Sequence, residues 1–232
     1  MAARTGNTIN DRKANAKRKT NAGSFFISNL YTGCILLDII GNALDTHVDI
    51  LENPAPQVQE LYELMMEKGT STPVTVFGKE HPIPRKEMMF APGGDGSYGY
   101  SGRNIPVYTG EQPLVRRIIE WAKRTYPKWR WDRALVNLYR DGKDCIGYHG
   151  DNEDGLVKGS PVITAIFGEG VRQFLVKSNE TGFVHKIQEK DNIALVMKGP
   201  SFQKKYKHSV PRRAKVGGYR LSVTLRCHEQ TE

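Results

Sequence analysis

Between residues 134 and 226 the apolar side chains recur with a period of 2, in seven short runs at 134–140, 145–149, 161–167, 171–177, 183–188, 192–197 and 219–226. Successive side chains of a strand point to opposite faces, so each run reads as a strand with a face to bury. Gly, Asn, Asp or Pro marks most of the turns, and no helical spacing intervenes. Short strands following one another without helices between them predict a sandwich, a barrel or a jelly roll.

The period upstream of Trp131 is different. Val58, Leu61 and Met65 recur at helical spacing between Pro54 or Pro56 and Gly69, and Val115, Ile118, Ile119 and Ala122 do so between Pro113 and Pro127. Proline at the first turn and glycine after the last turn are ordinary helix boundaries. Residues 72–77 read as a short strand, and 91–104 as a loop rich in Gly, Ser and Tyr. The prediction is a mainly β protein with N-terminal helices packed on a β-module. No linker-like stretch separates the parts, so 23–232 reads as one domain. Within it, 23–130 forms an N-terminal extension and 131–232 the β-core. Residues 1–22, basic and without apolar periodicity, read as a flexible tail.

No apolar run approaches the roughly 18 residues needed to span a bilayer, and the first twenty residues lack the apolar stretch of a secretory signal. Three scattered cysteines, Cys34, Cys145 and Cys227, make no disulfide framework,. The expectation is a monomer in the cytoplasm or nucleus, without a membrane partner. With 34 basic against 25 acidic residues the net charge is +9, and residues 203–226 hold eight basic residues and no acid. Such a distribution favours a polyanion as partner, nucleic acid above all.

His149-Gly150-Asp151 sits at a strand end, where residues i and i+2 share a face,. An imidazole and a carboxylate can then meet one metal ion, although a surface His beside a turn Asp would give the same triplet. His208 offers a third ligand. Two His and one carboxylate leave coordination positions open, the arrangement of non-haem Fe(II) oxygenases. In the last strand, alternation puts Arg220, Ser222, Thr224 and Arg226 on one face and Leu221, Val223 and Leu225 on the other. Those arginines either face solvent or, turned inward, require anions. A small dicarboxylate held at both ends would meet that requirement. Asn137 and Tyr139 form a second same-face pair of suitable donors.

These pieces, in this order and spacing, resemble the AlkB family of Fe(II)- and 2-oxoglutarate-dependent dioxygenases. The resemblance is carried by Asn137-Leu138-Tyr139, His149-Gly150-Asp151, residues 161–168, Tyr206 to Pro211 and Arg220 to Arg226. Upstream, Val76-Phe77-Gly78-Lys79, Pro84-Arg85-Lys86 and Tyr98-Gly99-Tyr100-Ser101-Gly102 are similar to the branch that repairs alkylated bases in duplex DNA.

The resemblance implies a double-stranded β-helix, or jelly roll, with a nucleotide-recognition lid in 23–130. It implies Fe(II) on His149, Asp151 and His208, with 2-oxoglutarate and O2 as cosubstrates. Arg220, helped by Tyr139, would take the distal carboxylate of 2-oxoglutarate, and Arg226 and Asn137 its iron-chelating end. Ser222 stands where the family usually has Asn, and keeps a hydroxyl donor with less reach. Tyr98, Tyr100, Ser101 and Glu153 would line the pocket for a flipped base. Phe77, with Gly78, would act as the finger that fills the gap in the duplex, although a core Phe ending a strand fits the same sequence. Arg85, Arg212, Arg213 and Lys215 would contact DNA. The implied activity is oxidative dealkylation of bases such as 1-methyladenine and 3-methylcytosine, in duplex or single-stranded DNA. The competing expectations are an RNA demethylase of the same family and a nucleic-acid-binding module with a vestigial metal site.

Overall fold

A computed structural model describes residues 40, 43–76, 78–91, 97–100, 103–131, 133–151 and 155–229. From edge to edge, its larger sheet runs β1 (Leu44–Val48), β12 (Ile193–Met197), β9 (Val162–Phe167), β14 (Arg220–Arg226), β7 (Arg133–Tyr139), β4 (Lys86–Phe90), β6 (Arg103–Tyr108) and β5 (Ser97–Tyr100). The smaller sheet runs β11 (Val184–Gln188), β10 (Gln173–Ser178), β13 (Tyr206–Val210) and β8 (Ile146–His149). A separate hairpin joins β2 (Val74–Val76) to β3 (Lys79–His81).

The middle strands of the larger sheet, β12, β9, β14 and β7, are buried on both faces. On one face, Val136, Leu138, Leu221, Val223 and Leu225 pack with the helices α1 (Ala55–Lys68) and α2 (Pro113–Thr125), through Leu61, Met65, Leu114 and Ile118. On the other, Ile166, Leu195 and Val162 meet Phe174, Val176 and Val210 of the smaller sheet, with Phe202 of the short helix α3 (Gly199–Lys205). All seven residues of β14 are therefore buried. The helices start and stop near their predicted prolines and Gly69, and α2 is capped by the Gln112 side chain, which accepts from the Val115 N–H. Their buried faces include Val58, Leu61 and Met65 of α1 and Val115, Ile118, Ile119 and Ala122 of α2.

All seven runs after residue 131 are strands, within one or two residues of their predicted bounds. Strands β1, β3, β4 and β13 and the short helix α3 were not expected from the sequence, and three further features differ from the expectation. The strand expected over 72–77 starts two residues later, at Val74, and is described as far as Val76. The segment read as a loop contains β5 and the start of β6. The larger sheet also runs through the 130/131 division, because β4 pairs with β7 and β1 with β12. Among the described residues, no helix is long and apolar enough to cross a membrane.

Candidate functional site

The pocket lies between the sheets, on the inner faces of β7, β14, β8 and β13. His208 pairs directly across the ladder with His149, and a register irregularity follows before Val210. Cross-strand partners share a face, so the two imidazoles lie together, with ring centroids 4.2 Å apart. Asp151, just beyond β8, brings Oδ2 to 3.5 Å from His208 Nε2 and Oδ1 to 3.9 Å from His149 Nε2. The candidate ligand atoms of the three residues all lie within 4.8 Å of one another.

The surroundings fix each donor. His149 Nδ1 donates to the Gly147 carbonyl at 2.9 Å, a bond that leaves Nε2 as the lone-pair nitrogen,. Phe174 stacks on His208 at 5.2 Å. The Asp151 backbone N–H donates to Gln203 Oε1 at 2.8 Å, and Arg226 Nη2 donates to Asp151 Oδ1 at 2.7 Å.

Burial pushes the His208 pKa down to about 3, with His149 and Arg226 acting in the same direction. Burial likewise lowers that of His149, against the pull of Asp151. Both rings are thus neutral near pH 7. Burial opposes ionisation of Asp151, but Arg226 and the two histidines outweigh it and hold the carboxyl well below the usual range. Two neutral imidazoles beside one carboxylate form a donor set that fits a divalent Fe(II) ion.

Asn137, Tyr139, Arg220, Ser222 and Arg226 line the same pocket as the triad. The arginines therefore face inward, each with a carboxylate. Arg226 has Asp151, and Arg220 makes a two-point contact with Glu189, Nε to Oε2 at 2.8 Å and Nη2 to Oε1 at 2.6 Å. Two of the eight basic residues in 203–226 are thus internal. Burial raises the Tyr139 pKa against Arg85 and Arg220, so the phenol keeps its proton and can donate.

One predicted role needs correction. Arg85, expected at DNA, is buried, and its guanidinium donates to Asn137 Oδ1 at 2.9 Å and Glu87 Oε2 at 3.3 Å. Occupying the Asn137 carbonyl oxygen leaves the Asn137 NH2 as its donor to the pocket. Arg212, Arg213 and Lys215 are exposed between β13 and β14, with Arg213 bonded to Gln173. Gly78 is an exposed turn residue with φ +75°, in the hairpin where Val76 pairs with Lys79. Phe77, Ser101 and Glu153 lie outside the described residues. Tyr98 and Tyr100 are placed by backbone only, opposite Ile105 and Arg103.

Sequence reasoning missed Thr164, Gln203 and Glu189. Thr164 lines the pocket and shares a 3.3 Å hydrogen bond with Thr224. An inward-facing arginine implied an acid nearby, but nothing in the spacing pointed to residue 189.

A family model described as the 2OG-Fe(II) oxygenase superfamily matches residues 46–226. The chain is 32% identical over 169 residues to the DNA oxidative demethylase ALKBH2 of Mus musculus, covering 68% of this chain and 67% of that protein. It is 29% identical over 200 residues to the Homo sapiens protein of the same name, covering 81% and 75%. The solved structure of OsALKBH1 superposes with a TM-score of 0.54 at 18% identity, over 79% of this chain and 97% of that one. At that identity the likeness concerns the jelly-roll fold alone.

Proposed function

The chain belongs to the 2OG-Fe(II) oxygenase superfamily, in its AlkB branch, and from that premise we propose that it removes alkyl groups oxidatively from the bases of DNA. The observation that carries the proposal is the shared pocket, in which a His-Asp-His donor set faces inward arginines. The similarity to DNA oxidative demethylases supports DNA as the substrate.

His149, Asp151 and His208 hold Fe(II). Iron held there would supply, with 2-oxoglutarate and O2, the oxidising chemistry for hydroxylating an N-alkyl group, with succinate and carbon dioxide as co-products. A hydroxylated N-methyl group departs as formaldehyde and restores the base. The chain's own groups hold the reactants in place. Arg226 engages Asp151 Oδ1 and keeps the carboxylate ionised. The Arg220 guanidinium and the Tyr139 phenol take the distal carboxylate of 2-oxoglutarate, while Asn137, Ser222 and Arg226 face its chelating end.

The target base must leave its stack to reach such a buried site. Tyr98, Tyr100 and Ser101, from a lid built by the N-terminal extension, form the base pocket together with Glu153 of the β-core, two residues past Asp151. Phe77, with Gly78, fills the gap in the duplex. Arg212, Arg213 and Lys215 meet phosphates, whose contacts give affinity without sequence preference. The protein acts as a monomer where DNA is found, in the nucleus or cytoplasm.

The test is succinate release by the Fe(II)-loaded protein, with and without an oligonucleotide carrying 1-methyladenine or 3-methylcytosine. The proposal expects release to be strongly stimulated by the methylated strand and to require 2-oxoglutarate. Release unaffected by methylation would refute the substrate assignment.

A further inference from the structure

Arg220 enters the pocket with one edge of its guanidinium already engaged. Its Nε and Nη2 donate to the two oxygens of Glu189. That carboxylate has no exposed surface and is tied to the backbone of Arg172. The Glu189 N–H donates to the Arg172 carbonyl at 3.0 Å, and Glu189 Oε2 accepts the Arg172 N–H at 3.2 Å. The Arg172 guanidinium is buried as well and donates to the carbonyls of Asp141, Asp144 and Gly170. Both guanidinium groups lie near the Tyr139 ring, at 5.0 Å for Arg220 and 5.7 Å for Arg172. Two buried arginines and one glutamate therefore leave one net positive charge at this end of the pocket.

The third nitrogen of Arg220 decides what is missing. Nη1 is buried and has no acceptor among the described residues, on a residue that lines the pocket. A buried cationic donor without a partner is costly, and the terminal Nη1/Nη2 edge is the geometry that takes a carboxylate through two parallel bonds. We infer that Glu189 is a positioning residue for the cosubstrate: it clamps the side edge of Arg220 so that the terminal edge and one uncompensated charge face the distal carboxylate of 2-oxoglutarate. This inference rests on the proposed function. Glu189 is not a stand-in that the cosubstrate displaces, because its carboxylate is enclosed and held through the Arg172 backbone.

The test is anaerobic calorimetry on the Fe(II)-loaded full chain, with 2-oxoglutarate and with 2-oxopentanoate, which lacks the distal carboxylate. Glu189→Ala should weaken 2-oxoglutarate binding by about tenfold or more, the equivalent of one charge-assisted hydrogen bond, and leave 2-oxopentanoate unchanged. Glu189→Gln, which keeps one acceptor oxygen, should fall between Ala and wild type. In turnover, KM for 2-oxoglutarate should rise while kcat at saturation holds. Should the Ala variant not fold, the Gln variant carries the same comparison. Tighter 2-oxoglutarate binding by either variant would identify Glu189 as a competitor and overturn the clamp. Equal weakening of both ligands, or unchanged binding with a lowered Tm, would overturn it by reducing Glu189 to a structural role. A wild type that binds no 2-oxoglutarate would overturn the proposed function, and the clamp with it.

Discussion

Replacing Arg226 by Met keeps most of the side-chain volume and removes the charge that faces Asp151. The two side chains are 4% and 2% exposed and meet at 2.7 Å, so water cannot take over from the lost guanidinium. Removing one partner of a buried pair costs about 3–5 kcal/mol. Coulomb attraction between charge centres roughly 4 Å apart, at an effective dielectric constant near 20, gives about 4 kcal/mol. In a domain of this size each kcal/mol moves Tm by about 2–4 °C, which predicts a fall of roughly 6–20 °C for the metal-free variant. A divalent ion on His149, Asp151 and His208 would give the stranded carboxylate a new partner. Saturating Mn(II) should therefore raise the Tm of Arg226→Met more than that of wild type. The assay is calorimetric unfolding of both proteins, first with a chelator and then with Mn(II). Equal losses in the two conditions, or no loss without metal, would show that Arg226 does not compensate Asp151.

Arg220→Ala removes the charged donor for the distal carboxylate and should raise KM for 2-oxoglutarate by about 10- to 100-fold; an unchanged KM would remove β14 from cosubstrate binding. Arg85→Met should weaken 2-oxoglutarate binding through the freed Asn137 amide and leave the salt dependence of DNA affinity unaltered, as titrations in a salt series would show. His208 and His228 have pKa values of about 3 and about 4 in the folded protein, below the ordinary 6.5. Their contribution to stability is complete above pH 6.5 and is lost as pH falls toward those folded values, because the unfolded chain takes up the protons first. Denaturant midpoints of the metal-free protein should decline over that window, and His228→Gln should flatten part of the decline. If Phe77 is a wedge, Phe77→Ala should slow repair of duplex by about an order of magnitude, since each unstacked step costs a few kcal/mol. Single-stranded substrate should be far less affected, and an unchanged duplex to single-strand ratio with a lowered Tm would make Phe77 a core residue.

The parts of the site that were legible in the sequence are those governed by strand alternation. Arg220 to Arg226 alternate without interruption, so the residues that share a face could be grouped before any contact was known, whereas Asp151 lies just beyond the end of β8 and meets His149 through the strand end. The strand β13 escaped notice because its inward residues, Tyr206, His208 and Val210, include an imidazole that counts as polar until its partner across the ladder is seen. β5 and β6 escaped because Gly99 and Pro106 argue against strands. The cost is small there. β5 is the edge strand, and β4 accompanies β6 only at Val107 and Tyr108. Glu189 was invisible for a different reason. An acid just after a strand looks solvated, and its burial comes from Arg172 and Arg220, which are 17 and 31 residues away. Arg85 was misplaced because a basic residue in a polar segment gives no sign that an acid two positions on, Glu87, will be buried with it.

The most direct test of the central claim is the mass of the DNA itself. An oligonucleotide carrying a single 1-methyladenine should lose its methyl group when incubated with wild-type protein, Fe(II), 2-oxoglutarate and air, with one formaldehyde and one succinate formed per base restored. Asp151→Ala, its fold confirmed by circular dichroism, should leave the mass unchanged. Restoration of the base by Asp151→Ala, or succinate formation by wild type without any change in the DNA, would contradict the assignment of this site to oxidative DNA dealkylation.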